Sequence, residues 1–245
     1  MKITDSAILV TGATRGIGKA LVEEALRRGA NRVYAGARQS FAHADRRVTP
    51  LILDITNAAQ IRAAAEKVGA VDILINNAGI SVQNDLSDRA ALERLLAINL
   101  FGTYDVTQAF LPVLTGSRSA IVNILSLASI AAVPFDPLYS ISKAAAFSLS
   151  QSLRALLGGR GVSVHIVLPG PIDTDMTRNL DIPKASPEST ARAIFDGVEK
   201  EEEEIFPDPM SEAIAEGWRN SAPKELQRQF AAYVGQTPVT SEAKS

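Results

Sequence analysis

The sequence predicts an α/β fold: a doubly wound parallel sheet of about seven strands with helices on both faces. Three observations predict it. Short apolar runs rich in branched residues recur along the chain, Ala7-Ile8-Leu9-Val10 and Ala120-Ile121-Val122 among them, as expected of strands buried on both faces. Stretches with apolar residues at helical spacing alternate with these runs, which is the pattern of βαβ units. No linker or shift in composition interrupts the alternation across the 245 residues. One domain over 1–245 is therefore expected, with 207–245 as a C-terminal helical tail.

The elements follow in order. Ala7 to Thr11 is the first strand. Gly12, Gly16 and Gly18 separate it from a helix whose Leu21, Val22, Ala25 and Leu26 share a face and which stops at Gly29. Arg32 to Gly36 is strand two, 37–48 a polar loop, and Thr49 to Leu53 strand three, ending at Asp54. A helix is predicted from Asn57 to Val68, with Asn57 as its cap. Val71 to Ile75 is strand four and exits through Asn76-Asn77-Ala78-Gly79. Asp88 to Leu114 reads as a long helical region broken near Asn99, Ala120 to Leu125 as strand five, and Leu138 to Leu157 as a helix ending at Gly158-Gly159. Val162 to Leu168 is strand six, Pro187 to Lys200 a helix, and Glu203 to Phe206 a short seventh strand. Glu201 to Glu204 reads as a solvated turn. Two helical stretches between Ser211 and Val234 present Ala213, Ile214 and Trp218, then Leu226, Phe230 and Tyr233. Both stripes are expected to pack in a core or an interface rather than form a lid.

Composition narrows the function. There are no cysteines, which excludes disulfides, thiolate metal sites and cysteine nucleophiles, and no metal site is expected. A net charge of −2 suits neither nucleic acid nor an anionic membrane. No apolar run reaches membrane-spanning length and no signal peptide is visible, so a cytoplasmic protein is expected. The only histidines are His43, in a polar loop and expected to be solvated, and His165, mid-strand and expected to be in the core. A Ser-His-Asp hydrolase is poorly served by either.

The glycines between strand and helix place free backbone N–H groups and a helix N-terminus where an anion such as a pyrophosphate would sit. A site for NAD would carry a carboxylate roughly 20 residues further on; here Gly36-Ala37-Arg38 stands there. Arg38, with Arg15 from the glycine turn, suits a ribose 2′-phosphate by charge and by bidentate geometry, so NADP(H) is expected over NAD. Tyr139 and Lys143 start the helix after strand five and share a face at i, i+4. The ammonium is expected to lower the phenol pKa from about 10 and make Tyr139 a proton donor or acceptor. Ser126 ends strand five on the same sheet edge, as do Asp54, Asn76 and Pro169 after their strands.

Together these residues resemble a compact short-chain dehydrogenase/reductase with a Rossmann-type fold. The resemblance rests on Thr11-Gly12-Ala13-Thr14-Arg15-Gly16-Ile17-Gly18, Asp54, Asn76-Asn77-Ala78-Gly79, Asn99, Ser126, Tyr139 with Lys143, and Pro169-Gly170, in order over about residues 5–206. It implies a tetrad. Tyr139 would act as acid or base at the substrate oxygen, and Ser126 would hydrogen-bond that oxygen. Lys143 would lower the tyrosine pKa and hold the nicotinamide ribose. Asn99 would hold a relay water. The same resemblance implies that Gly12, Thr14, Arg15, Gly16, Ile17, Gly18 and Pro169 bind the cofactor, with Asp54 and Ile55 at the adenine, Asn76 and Ala78 at the ribose, and Ile172 and Thr174 at the carboxamide. The implied activity is NADPH-dependent carbonyl reduction or alcohol dehydrogenation. An enzyme working mainly as an alcohol oxidant and a non-catalytic NADP-binding regulator are the alternatives. The substrate pocket is expected from Ser81–Asp85, Ala128–Leu138 and Ile172–Pro187. It contains Val133, Pro134, Phe135, Leu138, Met176, Leu180 and Ile182, which favours an apolar or aromatic ketone, aldehyde or secondary alcohol. A homodimer or homotetramer is expected, pairing through helices around 99–114 and 139–157. Leu125 stands where the family commonly has a second serine.

Overall fold

Alternate residues of a strand point to opposite faces of its sheet, and here both faces are apolar. Ile8 and Val10 of β1 (Ala7–Thr11) pack into one core cluster while Leu9 packs into another. The computed structural model describes residues 1–82, 85–114 and 118–234. The remaining strands are β2 (Arg32–Ala37), β3 (Val48–Ile52), β4 (Ile73–Asn76), β5 (Ser119–Ile124), β6 (Val162–Val167) and β7 (Glu204–Ile205). They form one seven-stranded sheet in the order β3-β2-β1-β4-β5-β6-β7, and every pairing is parallel. The predicted Rossmann-type fold class is what the structure shows.

The helices are α1 (Gly16–Arg27), α2 (Ala58–Lys67), α3 (Arg89–Leu96), α4 (Thr103–Leu114), α5 (Pro137–Leu157), α6 (Pro187–Glu199), α7 (Pro209–Arg219) and α8 (Ala222–Ala231). Leu21, Ala25, Ile194 and Phe195, from α1 and α6, fill one face of the sheet; Ile61, Phe110 and Leu153, from α2, α4 and α5, fill the other. Asn57 caps α2 as predicted, accepting from Ala59 and Gln60 N–H.

The chain leaves β1 in both directions, so β2 and β4 flank it and a crevice opens at the carboxyl ends between them. Register brings the strand ends level. Thr11 pairs with Gly36, Val10 with Ile75, Asn76 with Asn123, and Ile124 with Val167. The segments that follow therefore emerge on one edge.

Three expectations change. The helix does not break near Asn99; it widens into a π-helical turn over Ala97–Gly102 that joins α3 to α4, a feature often found at functional sites. The Glu201–Glu204 run is a solvated turn only in part: Glu201 and Glu203 are exposed, whereas Glu204 is buried and bound by Arg154 (2.6 Å) and Lys224 (2.6 Å). The tail helices bury Ser211, Ala215 and Lys224, with Trp218 partly buried against Phe147, whereas Ala213, Ile214, Leu226, Phe230 and Tyr233 are exposed. The ionic anchor at Lys224 turns α8 over, and an apolar stripe gives no hint of that.

Candidate active site

At the carboxyl end of β1, backbone groups are tied to one another. Thr11 Oγ1 accepts the N–H groups of Asn77 and Ala78, both at 3.0 Å. Asn77 Nδ2 donates to the carbonyls of Thr11 (2.9 Å) and Gly12 (3.2 Å). Gly12 and Gly16 have φ of +66° and +51°, where a side chain is strained. A Cβ on Gly18 would lie 2.1 Å from the Gly12 carbonyl oxygen, so α1 can press onto the turn only through glycine. No side chain caps α1. Its first N–H groups are left for an external acceptor, which fits the phosphate expected there.

Thr14, Arg15 and Arg38 around this turn are exposed, and Ile17 is half-buried. Arg15 Nη1 lies 3.1 Å from Asp175 Oδ2 on the loop after β6. The Asp54 carboxyl is held below the usual range by the N–H and hydroxyl of Thr56, with the Arg38 guanidinium adding to the effect. Ile55 is buried against Gly102, and Ala78 packs on the core. Asn76 departs from the expected ribose contact. Its side chain is buried and donates to Thr107 Oγ1 (3.0 Å) and Asn123 Oδ1 (2.9 Å). Period-two alternation turns it off the open edge.

The second cluster forms where β5 ends and α5 begins. The Tyr139 phenol lies near the Ser126 side chain, close enough for the serine to favour the phenolate, while Ser126 Oγ itself accepts the Ala128 N–H (3.1 Å). Lys143 is buried, with Nζ donating to the Ile124 carbonyl (2.9 Å) and lying 5.7 Å from the Tyr139 ring centroid. Gly79 separates Lys143 from Asn99, since a Cβ there would lie 3.1 Å from Asn99 Oδ1 and 3.6 Å from Lys143 Nζ. Asn99 Oδ1 accepts Ile80 N–H (2.9 Å), and its Nδ2 donates to the Ile80 carbonyl (2.9 Å) and Ser142 Oγ (2.9 Å). Its amide is thus spent on holding the loop after β4 against α5. Its backbone carbonyl takes Thr103 Oγ1 at 3.1 Å.

The electrostatics reverse the sequence expectation. Burial pushes the Tyr139 phenol up to about 12, with the nearby Ser126 side chain opposing and the Asp136 charge adding. Burial also brings Lys143 down to about 8. An i, i+4 spacing gives the direction of the side chains and says nothing of the water removed around them; desolvation is the largest cause of both shifts.

The loop after β6 closes the edge. Leu127 N–H donates to the Pro169 carbonyl (3.0 Å) and Gly170 N–H to Asp208 Oδ2 (2.8 Å). Ile172 is buried and bridges to Ala185, and Thr174 Cγ2 lies 3.1 Å from where a Gly16 Cβ would be. Behind this contact α1, the loop and the start of α6 leave a cleft of about 620 Å³ lined by charged side chains including Lys19, Arg178 and Arg192.

Residues 6–184 match the family described as short chain dehydrogenase. The chain belongs to that family. A 3-oxoacyl-acyl-carrier-protein reductase of Thermotoga maritima is 33% identical over 74% of this chain and 79% of its own length. A dehydrogenase/reductase SDR family protein 7-like protein of Anopheles gambiae is 29% identical over 90% and 80%. Among solved structures, a short chain dehydrogenase from Burkholderia cenocepacia in complex with NADP superposes with a TM-score of 0.86 at 36% identity, covering 94% of this chain and 98% of that one.

Within this short chain dehydrogenase, several supporting roles escape the sequence reading. Thr11, Asn77 and Ser142 hold the site through hydrogen bonds between segments 43 to 67 residues apart, and local pattern carries no signal for these. Asp136 is buried three residues before Tyr139 with Ser81 Oγ on its Oδ2 (2.5 Å). Asp208 caps α7 while it binds Gly170; an aspartate before a proline-led helix is a readable cap, but its second partner is not readable. Of the expected pocket, Phe135, Met176 and Ile182 are exposed and Leu138 is buried under Tyr139. Positions 83 and 84 lie outside the described residues. His165 is in the core, with Nδ1 2.6 Å from the Glu202 carbonyl. His43 is not simply solvated, since its ring faces Glu23 Oε1 (3.2 Å) and Asp45 N–H (3.1 Å). Among the described residues no helix is long and apolar enough to cross a membrane.

Proposed function

We propose that this short chain dehydrogenase is an NADPH-dependent carbonyl reductase, with Tyr139 as its general acid. The observation that carries the reading is Tyr139 set beside both Ser126 and buried Lys143, on the edge where the glycine turn leaves bare N–H groups. The exposed Arg15 and Arg38 supply the charge for a ribose 2′-phosphate, and the Burkholderia relative was solved with NADP.

NADPH, when bound, supplies the hydride. The protein supplies placement and the proton. Ser126 and Tyr139 present two hydroxyls to one substrate oxygen. As negative charge develops there, Tyr139 gives up its proton, and a phenol with a pKa near 12 remains a far stronger acid than the alcohol formed. Lys143, charged at neutral pH even when lowered to about 8, stabilises the resulting phenolate and is placed to hold the nicotinamide ribose hydroxyls. Proton return runs from solvent towards Lys143, with Asn99 as the water-holding group. A protonated phenol across the physiological range favours reduction over oxidation. Exposed Phe101, Tyr104, Ile141 and Leu156 on the π turn, α4 and α5 support pairing of two copies through those helices.

The test is NADPH consumption, followed by absorbance, with a panel of aryl and alkyl ketones and aldehydes, and NADP reduction with the matching alcohols. Turnover in the reducing direction is expected. Tight NADPH binding with no turnover in either direction would instead establish a regulator.

A further inference from the structure

Asp136 is a buried acid beside Tyr139 that the reaction above does not use. It is 8% exposed, and Leu138, two residues on, is buried with Ile80, Val82 and Tyr139 packed against it. Its backbone is fixed, with its N–H on the Val133 carbonyl (3.0 Å) and its carbonyl taking both the N–H (3.1 Å) and hydroxyl (3.0 Å) of Ser140. Its carboxyl is fixed on one side only. Ser81 Oγ donates to Oδ2 at 2.5 Å, and the Tyr139 backbone N–H lies against the group. Oδ1 is buried and has no hydrogen-bond partner among the described residues, and no cation pairs with the group.

A buried carboxylate oxygen without a partner costs free energy that a purely structural role would remove by filling it. This one sits on the segment that carries Tyr139, close enough for its charge to act on the phenol, and is joined through Ser81 to the loop after β4. From these observations we infer that Asp136, oriented by Ser81, is a substrate-reading residue whose free Oδ1 accepts a hydroxyl one or two carbons from the carbonyl. The substrate class is then a hydroxy ketone or hydroxy aldehyde with an otherwise apolar body. A hydroxyl suits the site better than an ammonium. Burial already penalises the charge on this carboxyl; a neutral hydroxyl brings no second charge to desolvate there, whereas an ammonium would.

The inference rests on the reductase reading, and the experiment separates the two. With NADPH, kcat/KM is compared for 2-hydroxyacetophenone, 2-methoxyacetophenone and 2-aminoacetophenone, and for the 3-hydroxy and 3-methoxy propiophenones. The methoxy ketones keep the bulk and the inductive pull and lack the donor. The native enzyme should favour a hydroxy ketone over its methoxy partner by at least about 10-fold, the worth of one hydrogen bond to a charged group. Asp136→Leu, which keeps the volume, should erase that ratio, with Asp136→Ala as the second variant if leucine disturbs folding. Ser81→Ala should reduce it in part. Calorimetric binding of the hydroxy and methoxy ketones to NADP-loaded enzyme should give the same ranking without turnover. A native enzyme indifferent to hydroxyl against methoxy, a ratio that survives both Asp136 variants, or a preference for the amino ketone would each overturn the inference while leaving the reductase reading intact. Failure to reduce any ketone would end both.

Discussion

The two ends of the binding edge are built on opposite plans. Around the glycine turn, buried polar groups are satisfied by one another: Thr11 takes two N–H groups, Asn77 spans two carbonyls, and the charges, Arg15 and Arg38, stand in solvent. Around Tyr139 the ionisable groups are inside and under-partnered. Lys143 has one carbonyl, Asp136 has one filled oxygen, and both Lys143 and Tyr139 are shifted towards their neutral forms. The first end is shape with cheap surface charge added. The second stores electrostatic cost that the fold bears for reactivity. Variants at the second end should therefore move rates and stability by large factors, and variants at the first should tune selectivity by small ones.

The largest effect is expected at Tyr139. Tyr139→Phe removes the acid and leaves the ring, so kcat/KM for ketone reduction should fall by at least about 10³-fold. NADPH affinity, read by nucleotide fluorescence, should change little, because the glycine end is untouched. Retained turnover would remove Tyr139 from the proton step and weaken the contrast itself.

Next comes Lys143→Met, which should separate function from stability. Activity should collapse while the apo-protein becomes more stable at pH 7. The lysine ammonium has a folded pKa of about 8 against its ordinary 10.5, so the unfolded chain holds more protons between those values and stability rises with pH across that window. Below pH 8 the burden is at its full size, of order 3 kcal/mol from the shift. Methionine lifts it, so the gain in Tm should be greatest at pH 7 and shrink as pH climbs towards 10. Above that, Tyr139, whose neutral form the fold favours, begins to act in the opposite direction. A lower Tm for Lys143→Met at pH 7 would show that the ammonium is better satisfied than its single carbonyl suggests.

The same contrast explains what was legible in the sequence. The glycine end was readable because its devices are local: Gly12, Gly16 and Gly18 lie between an apolar run and a helical stripe, and each is needed for backbone reasons. The positions of Ser126, Tyr139 and Lys143 after β5 were readable for the same reason, as strand end and helix start. Their electrostatics were not. Desolvation depends on what the fold brings around a group, and no spacing records that Lys143 faces the Ile124 carbonyl. Asn76 shows a second limit. It lies in the motif, yet alternation within β4 sends its side chain to Thr107 and Asn123. Glu204 shows a third: an acid in a run of acids looks solvated until Arg154 and Lys224 arrive from distant helices.

At the glycine end the effects shrink. Arg38→Asp replaces a guanidinium by a group that repels a 2′-phosphate, and the NADPH-to-NADH ratio of kcat/KM should drop by about 10- to 100-fold. Activity with NADH should hold, since nothing near Tyr139 changes. An unaltered ratio would take Arg38 out of the phosphate site and leave its influence on Asp54 as its only visible role.

The smallest effect is the most telling about how this end works. Arg15 is not idle in the structure; its guanidinium is 3.1 Å from Asp175, which Arg178 also contacts. For Arg15 to reach a 2′-phosphate it must leave that carboxylate. Both partners are largely exposed, at 69% and 50% of their side-chain surface, and such pairs contribute about 0–1 kcal/mol. Asp175→Asn should therefore tighten NADPH binding only slightly, by up to about five-fold, with NADH binding unchanged. The difference should fade as ionic strength rises and the Debye length shrinks. Equal changes for the two nucleotides would mean that Asp175 acts on the loop over the turn rather than on Arg15. A loss of NADPH affinity alone would mean that Asp175 orients Arg15 instead of competing for it, and the surface charge at this end would then be as pre-arranged as the backbone beneath it.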